Sequence, residues 1–366
     1  MTAGFFSPMP PARTGVAAYS SALFKELREF GPVALDDASA EVRLYHLGNN
    51  RLHRDIYRQA LAHPGVVVLH DAVLQHFFLG SLSESAYVEE FVYNYGSWNT
   101  SLAERLWRSR ARSAADPLYF QYPMLRRVVE RSRAIIVHNP GAARIVREHV
   151  PSARVVEIPH LFETPSQPAP FDIIRLRAQL GASPSDCLYG IFGHLRESKR
   201  LITVLDAFTR LQRAGERVLL LVAGDFASSD LARAAAPLLA SAGIRRIGYT
   251  PETAFWMYAH AIDACINLRY PTAAETSGIA IRMMGIGKPV LLTAGAESAN
   301  LPENAAIRID SGPAEKDMLS EYMLWLARFP RDAQAIGAAA WRHIAEYHAP
   351  SRVAATYWRV LEESRA

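Results

Sequence analysis

Residues 269–293 read RYPTAAETSGIAIRMMGIGKPVLLT, and the order of residue types in them is that of a strand end, a loop, a helix, a tight turn and a second strand. An apolar run, residues 264–268, leads into the segment, and another, residues 289–293, closes it behind Gly287-Lys288. Between them Thr276 or Ser277 can cap a helix, and Gly278 lets a ligand approach the amides of the first turn. Those unpaired N–H groups and the positive end of the peptide dipoles suit a diphosphate. Glu275 puts a carboxylate beside the helix start. It either accepts hydrogen bonds from sugar hydroxyls or merely complements the dipole, and spacing alone leaves the two readings even.

Outward from this unit the same alternation fills the second half of the chain. Cys187–Phe192 is an apolar strand, followed by Gly193 to Lys199 (GHLRESK), a helix near 201–214, a strand over 217–223, a helix near 231–242, Ile247, and a helix near 251–260. The first half alternates likewise: residues 4–6, a helix near 17–29, Val42–Leu47, then Val66–Leu69 and Ala134–Val137. The last two are unbroken apolar runs, as in strands covered on both faces. Residues 84–133 between them are largely helical, rich in aromatic and basic residues, and too long for a simple crossover, so they read as an insertion decorating the first domain. Four prolines in residues 158–171 (IPHLFETPSQPAPF) oppose helix and central strand and mark a linker. Residues 351–364 carry Val353, Tyr357, Trp358 and Leu361 on one helical stripe. The expected architecture is α/β: two Rossmann-like, doubly wound parallel-sheet domains facing across a cleft. The first spans 1–160 with its insertion at about 84–133 and the second spans 161–346. A terminal helix, 347–366, packs back toward the first.

The 366 residues are half apolar, and 40 basic against 36 acidic side chains leave a formal charge of +4, an ordinary globular balance. The basic clusters RLWRSRAR (105–112) and RRVVERSR (126–133) are too sparse for a nucleic-acid face; anionic small molecules or peripheral contact with a membrane surface fit better. Cys187 and Cys265 are the only cysteines, which argues against a disulfide framework or thiolate zinc site and for a reducing, cytoplasmic setting. No export signal opens the sequence, and no run approaches the roughly 20 apolar residues that cross a bilayer. Dinucleotide-binding, Walker, zinc-protease and α/β-hydrolase motifs are absent. No Asp-x-Asp pair is present to hold a divalent ion on a diphosphate, so a metal-independent site is expected.

The segment around Glu275 resembles the donor-binding motif of retaining glycosyltransferases of family 4, which have the GT-B fold. Glu275 matches the first carboxylate of that family's Glu, seven residues, Glu pattern, whereas Met283 stands where the second would be, and the segment before Pro289 is one residue short. It is closer to a subgroup that runs Glu-Thr-Ser-Gly and then Arg, here Glu275, Thr276, Ser277, Gly278 and Arg282. In much of the family the second Glu holds the ribose, so Arg282 either contacts the nucleotide or faces elsewhere. GHLRESK is similar to the family's phosphate loop: Gly193, Leu195 and Lys199 match, His194 replaces an arginine, and Arg196 offers a guanidinium in a different register. Residues 7–20 (SPMPPARTGVAAYS) look like the first-strand loop, with Gly15 as the glycine that lets phosphate and acceptor approach. YHLGNN (45–50) and VVVLHDAVLQH (66–76) resemble two further stretches, the second ending a strand with His70-Asp71.

The resemblance implies a retaining hexosyltransferase with no cofactor. Its co-substrate is a nucleotide diphosphate sugar, GDP-mannose or a UDP-sugar, and its acceptor a saccharide or a lipid-linked molecule of bacterial glycan or glycolipid synthesis. Lys199, Glu275 and His70 are the implied catalytic residues; Gly15, Gly193, His194, Arg196, Thr276, Ser277, Gly278 and Arg282 would meet the donor, and Tyr19, Asn49, Asn50 and Asp71 the acceptor. Closure about the linker is expected to bring Gly15 and His70 toward Lys199 and Glu275. Read without the resemblance, Lys199 is an exposed helix-start lysine, His70 a structural histidine and Asp71 a helix cap. A non-catalytic nucleotide-sugar-binding subunit, a GT-B sugar-nucleotide epimerase or hydrolase, and a membrane scaffold using the insertion are the alternatives. Oligomeric state is open.

Overall fold

In the computed structural model, which describes residues 1–365, the apolar runs pair into two six-stranded parallel sheets. The first holds β1 (Ala3–Phe6), β2 (Val33–Leu35), β3 (Val42–Leu47), β4 (Val66–Leu69), β5 (Ala134–Val137) and β6 (Val155–Glu157), in the order β2-β1-β3-β4-β5-β6. The second holds β7 (Cys187–Phe192), β8 (Val218–Ala223), β9 (Ile244–Ile247), β10 (Ala264–Asn267), β11 (Val290–Thr293) and β12 (Ile307–Ile309), in the order β12-β11-β10-β7-β8-β9. The winding direction reverses between β1 and β3 in one sheet and between β7 and β10 in the other. At such switch points the connections leave in opposite directions, and a crevice opens outside the carboxyl ends of the strands.

Successive side chains of a strand point to opposite faces, and both faces here are buried. Tyr45, Leu47, Val67 and Leu69 enter one core of the first domain, while Leu44, Val66, Val68 and Ile136 enter the other. Residues 84–133 form helices Glu84–Tyr95, Thr100–Arg108 and Arg126–Arg131 joined by short 3-10 turns. They do not decorate a finished domain: Tyr87, Phe91, Leu106, Tyr119 and Leu125 are part of the same core as Tyr45 and Val67, so the segment is one of the sheet's two covers. The opposite face is covered by helix Gly15–Leu27 and the terminal helix Pro350–Glu363, whose Val353, Tyr357 and Leu361 pack with Leu23 and Leu27. Tyr19 and Tyr357 meet hydroxyl to hydroxyl at 2.8 Å inside that layer.

The proline-rich segment buries Ile158, Leu161 and Phe162 before Pro170 opens the next helix. It is tied to the returning chain: the Phe162 N–H donates to the carbonyl of His348 at 2.9 Å, and His348 Nδ1–H donates to the carbonyl of His160 at 2.5 Å. Helices Glu315–Arg328 and Pro330–Tyr347 complete the second domain, the first of them packing Leu319 and Met323 against β7 and β8 residues.

Candidate functional site

The loops after β7 and β10 meet at that sheet's switch point. Gly193 leaves β7 with φ +81°, a conformation that favours glycine. The loop then makes one 3-10 turn, Glu197–Lys199, which turns Lys199 inward until only 8% of it is exposed. Its Nζ donates to the Phe192 carbonyl. A Cβ on Gly193 would lie 3.1 Å from that Nζ and 3.8 Å from Ile279, so the ammonium sits beside the first turn of helix Gly278–Gly285. Burial, then the guanidinium groups of Arg269 and Arg196, push the Lys199 pKa down to about 7. Among the described residues no carboxylate pairs with it, so an anion arriving there gains more than it would from a solvated lysine.

Arg269 follows β10 and organises the loop ahead of the helix. Its guanidinium donates to Glu275 Oε1 at 2.7 Å and to Ser277 Oγ at 3.2 Å. Glu275 Oε2 accepts from Thr272 Oγ1 at 3.1 Å and from the Ala273 N–H at 2.9 Å. Burial alone would raise the Glu275 pKa; Arg269 and these hydrogen bonds outweigh it and hold the carboxyl below its ordinary range. Ser277 is the N-cap, accepting from the Ala280 N–H at 3.3 Å. Gly278 lies next to the His160 ring, with Nε2 3.6 Å from where a Cβ would stand.

The Glu275 loop also touches the first domain. The Ala72 N–H donates to the Ala273 carbonyl at 2.7 Å, and Asn139 Nδ2 donates to the Ala274 carbonyl at 2.8 Å and to Thr276 Oγ1 at 2.9 Å. Asn139 meanwhile caps helix Pro140–His149 through its own oxygen. Ala274 is held at φ +56°, uncommon for a residue with a Cβ, by these contacts from the ends of β4 and β5. Arg13, in the loop after β1, stacks 4.7 Å over the ring of Tyr249 in the second domain, near the exposed His194. Arg196 is exposed on the same loop.

Opposite lies a cluster of imidazoles at the carboxyl ends of the first sheet. The Tyr19 ring packs against His70 at 5.1 Å, His138 at 5.1 Å and His160 at 4.6 Å. His46 Nδ1 and His70 Nε2 are 3.0 Å apart. Burial drives all of them toward the neutral form: His138 and His53 titrate at about 4, and His46, His70 and His160 well below the usual value. Asp71 adjoins them. Its Oδ2 accepts from the Asn49 N–H at 2.8 Å, and burial followed by the charge of Glu275 raises its pKa to about 6, against the pull of Arg196 and Arg269.

The structure therefore gathers Lys199, Glu275, Gly193, Arg196 and the capped helix start into one site, with His70 and Asp71 across from them. Gly15 opens its helix behind the Thr14 cap, and a Cβ there would meet no protein atom within 4 Å. Tyr19 contributes its ring, its hydroxyl being engaged by Tyr357. Asn49 accepts from the Phe77 N–H at 2.8 Å and faces His76 Nδ1 at 3.1 Å, and Asn50 caps the turn that starts at Arg51. Arg282 pairs with Glu252 and stacks on Phe255 and Trp256 at 4.8 and 4.9 Å, on helix Glu252–Ala261. Sequence reasoning passed over Arg269, Asn139, His46, His138 and His160. Arg269 and the His138-Asn139 pair directly follow apolar strands, the place where open α/β sheets collect ligands, and that was the available signal. Among the described residues no group of three or more His, Cys, Asp or Glu side chains is placed to hold a metal ion, and no helix is long and apolar enough to cross a membrane.

No protein-family model matches the chain, and no curated protein matches it. Solved structures do. HepE of Anabaena, in complex with UDP and glucose, superposes with a TM-score of 0.71 at 13% identity, covering 99% of this chain and 100% of that one. Sucrose-phosphate synthase from Thermosynechococcus elongatus gives 0.69 at 14%, covering 99% of each chain. WaaG, a glycosyltransferase involved in lipopolysaccharide biosynthesis, gives 0.60 at 15%, covering 97% of this chain and 99% of that one. At such identities the likeness speaks of architecture, and the chain has the GT-B fold: two Rossmann-like domains facing across a cleft.

Proposed function

We propose that the chain is a metal-independent hexosyltransferase that moves a sugar from a nucleotide diphosphate to a hydroxyl of a saccharide or lipid-linked acceptor with retention of configuration. The observation that carries this reading is the buried Lys199 amino group, with no carboxylate partner among the described residues, set against the start of helix Gly278–Gly285, with an ionised Glu275 on the adjoining loop. A diphosphate seated there meets helix-start amides, Lys199 and Arg196, and gains most as negative charge grows on the departing oxygen. Glu275, steadied by Arg269, keeps lone pairs for the hydroxyls of the donor sugar, and His70 meets the sugar from the facing domain. The acceptor hydroxyl attacks on the face from which the diphosphate leaves, and a phosphate oxygen takes its proton.

The UDP and UDP-glucose complexes of HepE support a nucleotide sugar as donor. UDP-hexoses and GDP-mannose suit the site equally. Bacterial glycan or glycolipid synthesis at the cytoplasmic face of the membrane fits this chemistry, with exposed Trp98, Arg105, Arg108 and Arg112 of residues 84–133 available for peripheral contact. The engagement of Arg282 with Glu252 favours a second reading, a subunit that binds nucleotide sugar without transferring it.

A thermal-shift screen of nucleotide diphosphates and their sugars identifies the donor by selective stabilisation, and product analysis with an acceptor panel then measures transfer. Lys199→Ala and Glu275→Ala are each expected to lower kcat by about 10²–10³-fold, and Glu275→Ala, which leaves the Arg269 guanidinium without its carboxylate, to lower the melting temperature as well. Substantial turnover in both variants overturns the roles assigned to them. Donor binding with no transfer to any acceptor favours the second reading.

A further inference from the structure

Three imidazoles of the cluster have their tautomer dictated by a carbonyl. His53 Nδ1 faces the His46 carbonyl at 2.9 Å, His138 Nδ1 the Ile158 carbonyl at 2.9 Å, and His160 Nδ1 the Leu161 carbonyl at 2.9 Å. A carbonyl only accepts, so each Nδ1 carries the proton and each Nε2 is bare. The contact between His46 Nδ1 and His70 Nε2 is different, because either ring can be the donor. If His70 donates, the neutral His46 must carry its own proton on Nε2. That nitrogen is buried without a partner. Orphaned buried N–H groups are rarer than orphaned acceptors, so the arrangement with His46 Nδ1–H donating is the better one. An imidazolium at His46 is disfavoured: the ring is fully buried against Phe5 at 4.7 Å and Tyr19 at 6.1 Å, with His138, His53 and His70 as the titratable groups near it and, among the described residues, no carboxylate hydrogen-bonded to it.

We propose that His46 is a positioning residue that fixes His70 as the Nδ1–H tautomer, so that His70 offers a ligand a hydrogen-bond donor and no proton acceptor. With Nε2 occupied by His46, Nδ1 is the only ring nitrogen of His70 left for a ligand. It has no hydrogen-bond partner among the described residues, in a half-buried ring at the carboxyl end of β4. An N–H there suits an oxygen of a sugar or a phosphate and excludes His70 as a general base. The tautomer assignment stands without the glycosyl-transfer reading; the consequence for catalysis rests on it.

Two variants separate the donor from the packing. His46→Phe keeps a ring against Phe5 and removes the N–H, whereas His46→Asn returns an amide N–H near the place of Nδ1. Long-range 1H–15N spectra of histidine-labelled, unliganded protein should show His70 protonated on Nδ1 in the parent and in His46→Asn, with its bare Nε2 hydrogen-bonded in both, and in His46→Phe an Nε2 resonance moved to that of a ring nitrogen with no donor against it. In transfer assays, kcat/KM should fall roughly tenfold in His46→Phe and recover in His46→Asn, about the size of one misdirected hydrogen bond. Nε2 protonation of His70 in the parent, or a His70 spectrum unchanged in His46→Phe, overturns the proposal. Absence of transfer in the parent overturns the reading of the reaction, and the spectra still decide the tautomer.

Discussion

The two domains present the same edge of the same kind of sheet to the cleft and line it with opposite chemistry. On the second domain Lys199, Arg196, Arg269 and Glu275 crowd around one helix start, and Glu275 is kept ionised by its pairing with Arg269. On the first domain the cluster of His46, His53, His70, His138 and His160 is neutral, because burial disfavours the charged ring and, among the described residues, no carboxylate is hydrogen-bonded to any of them. Strand topology decides where ligand-facing residues stand, and pairing decides whether they are charged. A wall of neutral hydrogen-bonding groups leaves the anionic end of a ligand to the other domain and competes with it for no phosphate.

Among residues that do not themselves meet the donor, the largest effect should come from cutting the pair that keeps the second wall charged. Arg269→Met removes both the ion pair to Glu275 and the hydrogen bond to Ser277. Glu275 should then titrate higher, since burial is left acting with less opposition. We expect kcat/KM to fall on the order of a hundredfold, with the acid limb of the pH–rate profile moving to higher pH. Arg269→Lys should recover part of the loss, because a point cation replaces the charge and not the fork. A near-parental rate with an unmoved acid limb in Arg269→Met would show that pairing does not set the charge of this wall.

A smaller effect, in the pH dependence of binding, follows from the titration of Lys199. Its pKa, pushed down to about 7, means that part of the unliganded population carries a neutral amine at neutral pH. A bound diphosphate favours the ammonium and raises that pKa, so binding takes up part of a proton and affinity weakens as pH rises above about 7. Calorimetric titration with a nucleoside diphosphate at about pH 8, in buffers of different ionisation enthalpy, should register that uptake, and Lys199→Met should abolish it. Proton-neutral binding by the parent would mean that Lys199 is already fully charged or stays away from the ligand.

Much of this contrast was legible in the residue order, and the remainder was hidden for physical reasons. Unbroken apolar runs gave Val66–Leu69, Ala134–Val137 and Cys187–Phe192 their boundaries, because strands covered on both faces need no polar alternation. The edge strands Val33–Leu35, Val155–Glu157 and Ile307–Ile309 are three residues each, too short to show any period. Residues 84–133 read as an add-on because chain length cannot tell a decoration from a sheet cover; only the burial of Tyr87 and Phe91 with Val67 does. At the site, Glu275 and Lys199 stood out through the resemblance of their loops to a known family's motifs, where spacing alone left Glu275 open and read Lys199 as exposed. The histidine cluster did not, because His46, His70, His138 and His160 lie on separate connections and meet only when the strands align in parallel.

Asp71 is the acid among the neutral groups, and the smallest effect tests whether the contrast extends to it. Its pKa is about 6, above the ordinary carboxylate range, so the folded chain binds this proton more tightly than the unfolded chain does. The sign follows: stability credited to protonated Asp71 is present at low pH and lost as pH rises toward 6, and above that the buried charge is a standing cost. Asp71→Asn keeps an oxygen to accept from the Asn49 N–H and removes the charge facing Glu275. It should therefore melt higher than the parent near neutral pH by a few degrees, with the gap closing as pH falls through 6 toward 4. A lower melting temperature in Asp71→Asn that worsens with rising pH would mean that Arg196 and Arg269 hold Asp71 ionised from across the cleft. In that case the charged wall would reach into the first domain, and the division between the two would lie at His70 rather than at the domain boundary.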